Sequence, residues 1–248
     1  MGQARVVALS ASQHLRVQDL GAEVEVRRHP AARRMTLRVS RTSRMVIVTL
    51  PLQCDLAQAD TFLSNHIDWL RETLGKLPDP VPFAAGVALP LRGIVHRLSF
   101  SRRMRGVPVE ALPCDADQPL LVVNGEAARA PRRLREWLLE QARCDLDARV
   151  LSHAQRLGLR PKRIAVRDQT SRWGSCSTTG LLSFSWRLVL APPPVLDYVA
   201  AHEVAHLAEM NHGPRFWALV RKTCPGMQPA RLWLQRYGND LHRYGAIG

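Results

Sequence analysis

Residues 201 to 217 read AHEVAHLAEMNHGPRFW, and they place three of the chain's nine histidines within eleven residues, at His202, His206 and His212. The run VLDYVA before them is apolar apart from Asp197. This stretch constrains the fold more than any other. His202, Glu203 and His206 spell HExxH. Two histidines four residues apart lie about 40° apart around an α-helix and about 6 Å along it. Both rings can then reach one metal ion. Glu203, about 100° further round, stands beside that ion, where it can take a proton from water. Val195 and Val199 precede the histidines on the same face, and Ala201, Ala205 and Ala208 form a small-residue side suited to close packing. The pattern predicts a mostly buried metal-binding helix over 193–210.

A catalytic zinc has three protein ligands and one open position. His212 is the natural third ligand. It lies six residues past His206, so a continued helix would carry it about 240° away. The helix must end first, and NHGP supplies the ending: Asn211 and Gly213 tolerate left-handed backbone, and Pro214 cannot extend a preceding helix. The plain alternative is a core helix with hydrogen-bonded histidines, and a third histidine just past a helix break argues against it. His14, His29, His66, His96, His153 and His242 are isolated and read as surface or core residues.

A second constellation, RDQTSRWGSCSTTG over 167–180, sits between two strand-like runs just before this helix. Arg172, Trp173, Gly174, Ser175 and Cys176 are its centre. Acyl transfer at a metal needs donors that hold a developing oxyanion. An arginine, or N–H groups from a tight GSCS turn, can serve. A Cys176 nucleophile lacks a separate His–Asp pair. A plain hairpin around a buried Trp fits the same residues.

Around these motifs the chain reads as α+β. EVEVRRHP, RRMTLRVS and RMVIVTLP alternate at period two and read as strands, joined by HPAA and RTS as hairpins. A helix follows over 55–77, with Asp55 as N-cap. Residues 78–126 are punctuated by Pro and Gly and carry short strands such as VHRLSF and PLLVVNG. A long helix over 127–158 is interrupted near Pro131. RIAVRD and LLSFSWRLVL read as strands, and GPRFWALVRKTC and QPARLWLQRYGNDLHRY as helices. No internal repeat is apparent. The organisation expected is a β-rich region with one helix over 1–126, and over 127–248 a zincin-like catalytic half, its metal helix packed on a small antiparallel sheet.

The five cysteines, Cys54, Cys114, Cys144, Cys176 and Cys224, are odd in number and form no CxxC, which argues against a disulfide framework and a cysteine zinc site. The N-terminus lacks a signal-peptide core, and no stretch of about 18 apolar residues follows. The expectation is a soluble, cytoplasmic protein without a membrane partner. The formal net charge is +14, from 35 basic and 21 acidic residues, and all but Lys76, Lys162 and Lys222 of the basic set are arginine. That bias reflects either GC-rich coding or a surface for phosphates, nucleotides or nucleic acid.

RWGSCS followed by FSWRLVLAPPPVLDYVAAHEVAHLAEMNHGPRFWALV closely resembles the YgjP-like metallopeptidase family, relatives of the SprT-like zinc proteases. The resemblance is strong over 163–239 and looser over the N-terminal strands and the helix of Trp69. It implies Zn2+ held by His202, His206 and His212, Glu203 as the catalytic base, and a contribution from Arg172 to Cys176. Ser185 stands where family members often carry Asn. Three functions compete. One is a zinc metallopeptidase. The second is a metal-dependent nucleoside triphosphate (UTP) pyrophosphatase, an assignment that also travels with the family, in which Arg172 and Arg187 hold the polyphosphate. The third is a basic nucleic-acid-binding protein with a structural zinc, for which Cys176 is a candidate fourth ligand. The partner expected is thus a peptide or nucleotide substrate, with nucleic acid as a further candidate through the basic surface.

Overall fold

The period-two runs become strands, and of the two hairpins expected the one across RTS forms and the one across HPAA does not. A computed structural model describes residues 13–17, 22–40, 42–103, 106–113 and 118–245. The expectations for residues 1–12, for Cys114 and for the side chain of His14 lie outside the residues so described. The chain divides into two compact units, the first running to Pro80 and the second from Val81 to Ala246. The boundary expected near residue 126 therefore falls inside the second unit. The sheet that ends there shares one apolar core with the helices that follow, from Phe83 to Leu241. LPDPVP at 77–82 was the sequence signal for the true division.

The first unit holds β1 (Gln13–Val17), β2 (Ala22–Arg28), β3 (Thr36–Val39) and β4 (Val46–Leu50) in the order β1-β2-β4-β3. β2 pairs parallel with β4, and β3 pairs antiparallel with β4. HPAA is therefore a crossover rather than a hairpin turn. VIVTL is the most apolar of the four runs, so the central place is where burying both its neighbours is least costly. Val24, Val26, Val46, Val48 and Leu50 form one face of the sheet's core. Helices α1 (Leu56–Ser64) and α2 (Ile67–Gly75) cover that face with Ala59, Leu63, Leu70 and Leu74. The single helix expected over 55–77 is broken at Asn65 and His66. Asp55 caps α1 as expected, accepting from the Gln58 N–H at 2.8 Å while the Gln58 side chain accepts from the Asp55 N–H.

The second unit opens with β5 (Ala88–Leu91), β6 (Ile94–Ser101), β7 (Val109–Leu112) and β8 (Leu120–Asn124), in the order β5-β6-β8-β7. The sense of pairing, antiparallel, parallel, antiparallel, is that of the first sheet. The sequence shows no repeat, yet the topology repeats. α3 (Ala130–Leu157) follows, with Pro131 in its first turn rather than interrupting it. Ala130, Leu134, Leu138, Ala142, Leu146 and Val150 recur every four residues and are all buried. Gly158 ends the helix with φ 68°, a left-handed cap that its missing Cβ permits.

β9 (Arg163–Arg167), β10 (Gly174–Cys176) and β11 (Leu181–Ser185) form a sheet in the order β10-β11-β9. β10 pairs antiparallel with β11, but β9 is parallel to it, so the small sheet is mixed. The strand expected over 181–190 stops at Ser185, and the fully buried residues 186–190 form a 3-10 turn. α4 (Pro193–Ala205), α5 (Pro214–Thr223) and α6 (Met227–Leu241) complete the unit. The architecture is α+β, with the histidine helix α4 packed between α3, α5, α6 and β10. Among the described residues no helix is long and apolar enough to cross a membrane, and Cys54, Cys144, Cys176 and Cys224 are free thiols.

A clamp fixes the entry to α4. The tip of the β5–β6 hairpin donates from the Arg92 N–H to the Val189 carbonyl at 2.7 Å, and from the Gly93 N–H to the Leu190 carbonyl at 3.2 Å. The Arg92 guanidinium meets both oxygens of Asp145 on α3 at 2.8 and 2.9 Å. Arg92 and Gly93 have φ of 50° and 79°, as a two-residue hairpin turn with the right twist requires. A Cβ on Gly93 would lie 3.0 Å from the Pro192 Cα. Gly93→Ala should therefore lower stability by about 1–3 kcal/mol through strain and overpacking, read as a lower urea midpoint. An unchanged midpoint would show that the tip is not held.

Candidate metal centre

α4 ends at Ala205, one turn earlier than the expected helix to 210, with His206 as its C-cap. The turn that follows brings His212 back, and Gly213 and Pro214 then open α5. His202, His206 and His212 each offer a ring nitrogen, and these atoms all lie within 4.8 Å of one another. The Nε2 atoms of His202 and His212 are 3.0 Å apart. Phe216, wholly buried on α5, underlies all three rings at centroid distances of 4.8, 4.5 and 4.7 Å. Trp217 stacks on His212 at 5.9 Å, so the exposed third ring also has a wall. His206 donates from Nδ1 to the Glu209 carbonyl at 3.0 Å, which leaves its Nε2 lone pair free for a ligand.

The electrostatics suit a cation. Burial, and then the other two imidazoles, push His202 down to about 3. Burial lowers His206 too, against the Glu209 carbonyl that would raise it. Neutral imidazoles are the form that ligates metal. The buried Nδ1 of His202 has no hydrogen-bond partner among the described residues. Three convergent imidazoles, two of them held toward the neutral form, fit a divalent metal ion.

Glu203 is 5% exposed, and burial pushes it up to about 8, opposed by the charge of Arg172. Its neighbour is the backbone of β10. A Cβ on Gly174 would come within 2.6 Å of the Glu203 Cγ and Oε1 atoms, so only glycine lets strand and carboxyl approach this closely. Cys176, half-buried on the same strand, is raised by burial and by the Glu203 charge, and its Sγ donates to the Ser177 carbonyl at 3.4 Å. Its thiol is thus held in the protonated form, which disfavours a nucleophile, and it is not part of the three-histidine cluster.

The structure brings together His202, Glu203, His206, His212, Arg172, Gly174 and Cys176. Ser175 lies between Gly174 and Cys176, paired with Ser183 on β11. The Trp173 ring is turned to packing, stacked on His242 at 4.6 Å and set against Gly238. Arg187 is the clear correction. It is 1% exposed, ion-paired with Asp168, and donates to the Tyr244 carbonyl at 3.3 Å. Asp168, which burial alone would raise, is held below the usual carboxylate range by Arg187 and Arg135. A guanidinium this enclosed holds the fold and cannot meet a substrate. Arg172 and Arg187, which the pyrophosphatase reading set together on a polyphosphate, therefore do not share that duty. The Ser185 hydroxyl is buried and makes no hydrogen bond among the described residues. Phe216 and Trp217 were missed, although the FW pair directly after NHGP marked them. Tyr198, one turn before His202 and 6.0 Å from its ring, was missed too.

Comparison with known proteins agrees in kind. The family described as YgjP-like, metallopeptidase domain, matches residues 33–237, 205 of the 248. No curated protein matches the chain. A solved structure it resembles in part is the crystal structure of the metallopeptidase zymogen of Pyrococcus abyssi abylysin, at 21% identity over 40% of this chain and 97% of that one, with a TM-score of 0.35.

The Glu203 shift has a consequence for stability. Its folded value, about 8, lies above the ordinary 4.5 of the unfolded chain. Below pH 4.5 both states are protonated and the group is neutral to folding. As pH rises toward 8, ionisation favours the unfolded chain. In protein stripped of metal by chelation, Glu203→Gln should raise Tm at pH 8 and leave it unchanged at pH 4.5. Equal gains at both would contradict a carboxyl raised by burial.

Proposed function

The chain belongs to the YgjP-like metallopeptidase family, and on that premise we propose that it is a zinc-dependent peptidase, with His202, His206 and His212 as ligands and Glu203 as general base. The observation that carries the reading is the Glu203 carboxyl, buried against the backbone of β10 one residue from a three-imidazole cluster. When bound, a divalent cation supplies Lewis acidity, lowering the pKa of water, polarising a carbonyl and drawing Glu203 into its ionised form. Glu203 as carboxylate then takes a proton from the attacking water and passes it to the leaving amide nitrogen. Arg172, whose charge already reaches Glu203, stands on the segment leading into β10, where it can meet the developing oxyanion.

The edge position of β10 favours a peptide over a nucleotide. Among the described residues β10 pairs with a strand on one side only, so an extended peptide can add to its other edge and lay a carbonyl beside Glu203. The pyrophosphatase reading counted on Arg187 for the polyphosphate, and Arg187 is enclosed with Asp168. The structural-zinc reading needed a fourth ligand, and Cys176 stays outside the cluster of ligand atoms.

Three variants test the proposal. Glu203→Gln should keep stoichiometric zinc and lose about 10²–10⁴ in the rate of casein hydrolysis. His206→Ala should lose most of its zinc. Gly174→Ala should keep zinc but displace Glu203, with a rate loss on the order of 10². Full activity in Glu203→Gln, or stoichiometric zinc in folded His206→Ala, would refute the assignment. Hydrolysis of UTP but not casein by the wild type would transfer the same machinery to the nucleotide.

A further inference from the structure

Residues 26–54 hold seven arginines and no Asp or Glu, a net +7 that is half of the whole chain's +14. They lie in the first unit, where among the described residues α1 and α2 pack on one face of the sheet. Register places Arg27, Thr49 and Thr36 in one row across β2, β4 and β3, and Glu25, Ile47 and Arg38 in the next. The opposite face is the one packed under α1 and α2. Two of the seven arginines have internal duties. Arg27 pairs with Glu25 at 2.5 Å, and Arg44 caps the carbonyls of Leu74 and Leu77 at the end of α2. Arg28, Arg33, Arg34 and Arg38 differ. All four are exposed, and none makes a hydrogen bond or ion pair among the described residues. They run from the end of β2, through the crossover, onto β3, which is the sheet's edge strand.

These four guanidiniums follow one another along the chain within eleven residues, and none is offset by an ion pair among the described residues. Charged side chains on an edge strand also block edge-to-edge pairing. That role needs one or two charges, of either sign, on the strand itself. Here the arginines continue off the strand into the crossover, and no acidic residue interrupts them. Arginine is suited to phosphate by its forked donors and weak hydration. No Phe, Tyr or Trp occurs between residues 26 and 54, so the surface lacks the stacking platforms that single-stranded binders use. We propose that this arginine-lined edge binds the phosphodiester backbone of duplex nucleic acid, without reading sequence. The inference does not depend on the metal centre, and it assigns a nucleic-acid-binding role to the unit that lacks His202, His206 and His212.

The test is fluorescence polarisation of a short mixed-sequence DNA duplex titrated with the full-length chain, at salt from about 50 to 200 mM. Four phosphate contacts predict a log–log salt slope of about −3 to −4. The combined variant Arg28→Gln, Arg33→Gln, Arg34→Gln, Arg38→Gln should weaken binding at least tenfold at the lowest salt and flatten the slope by about one per arginine removed. A control of equal charge change, Arg143→Gln, Arg160→Gln, Arg221→Gln, Arg236→Gln, on exposed positions of the second unit, should keep both affinity and slope near wild type. Circular dichroism of both variants confirms the fold. Equal weakening in the two variants would show bulk charge alone and overturn the proposal. So would an edge variant that binds as well as wild type. UTP tested in place of the duplex separates free nucleotide from polymer: UTP binding lost in the edge variant, with no saturable duplex binding, would assign the edge to nucleotides instead. Tighter binding to phosphatidylserine vesicles than to the duplex would overturn it in favour of a membrane surface. Hydrolysis assays do not enter, so failure here leaves the peptidase reading standing.

Discussion

Everything at the candidate centre depends on one close approach, the Glu203 carboxyl against the backbone of Gly174. It joins the histidine helix to the edge of a sheet with no side chain between them. The approach removes the carboxyl from water, and that desolvation raises its pKa. It also sets the carboxyl directly against the backbone of β10, the strand that lies at the end of its sheet's order. A single Cβ at position 174 would separate helix and strand, so the GS pair after Trp173 is a packing requirement before it is anything else.

The rest of the second unit holds the two partners of that approach still. α3 offers a four-residue ladder of buried side chains along its length, and α4 packs on it. The β5–β6 hairpin tip fixes the backbone entering α4 from one side. Arg187 anchors the segment leaving β11 through Asp168, whose own neighbours Gln169 to Trp173 lead into β10. The Gln169 amide donates to the carbonyls of Trp173 and Ser183 at 3.4 and 3.3 Å, tying that segment to both strands. Arg187 from within and Arg92 through the hairpin tip at Val189 and Leu190 thus hold the buried 186–191 segment that feeds the helix. They position the centre without touching it.

How much of this could be read from the amino acids follows from what each signal encodes. The histidine spacing is a statement about one helix and its ending, both local, so the three convergent rings were legible. Strands were legible from alternation, but alternation says nothing of which strand lies beside which. The parallel pairing of β2 with β4, and its repetition in the second sheet, went unread for that reason. Arg187 was misjudged because its charge is visible in the sequence and Asp168, nineteen residues away, is not visibly its partner. The division at Pro80 was missed although its prolines marked it, because strand-like runs continued past it to residue 124. Glycine 174 stood out only as a turn residue; that it faces Glu203 is a tertiary fact.

The central claim is that three imidazoles and no sulfur hold the metal, with one position left open beside Glu203. X-ray absorption at the zinc edge of the loaded protein tests it most directly. The account predicts a first shell of nitrogen and oxygen at about 2.0–2.1 Å, with outer-shell scattering from three imidazoles and one further light atom. A sulfur shell at about 2.3 Å would mean that Cys176 closes the site as a fourth ligand, and would contradict the catalytic centre described above.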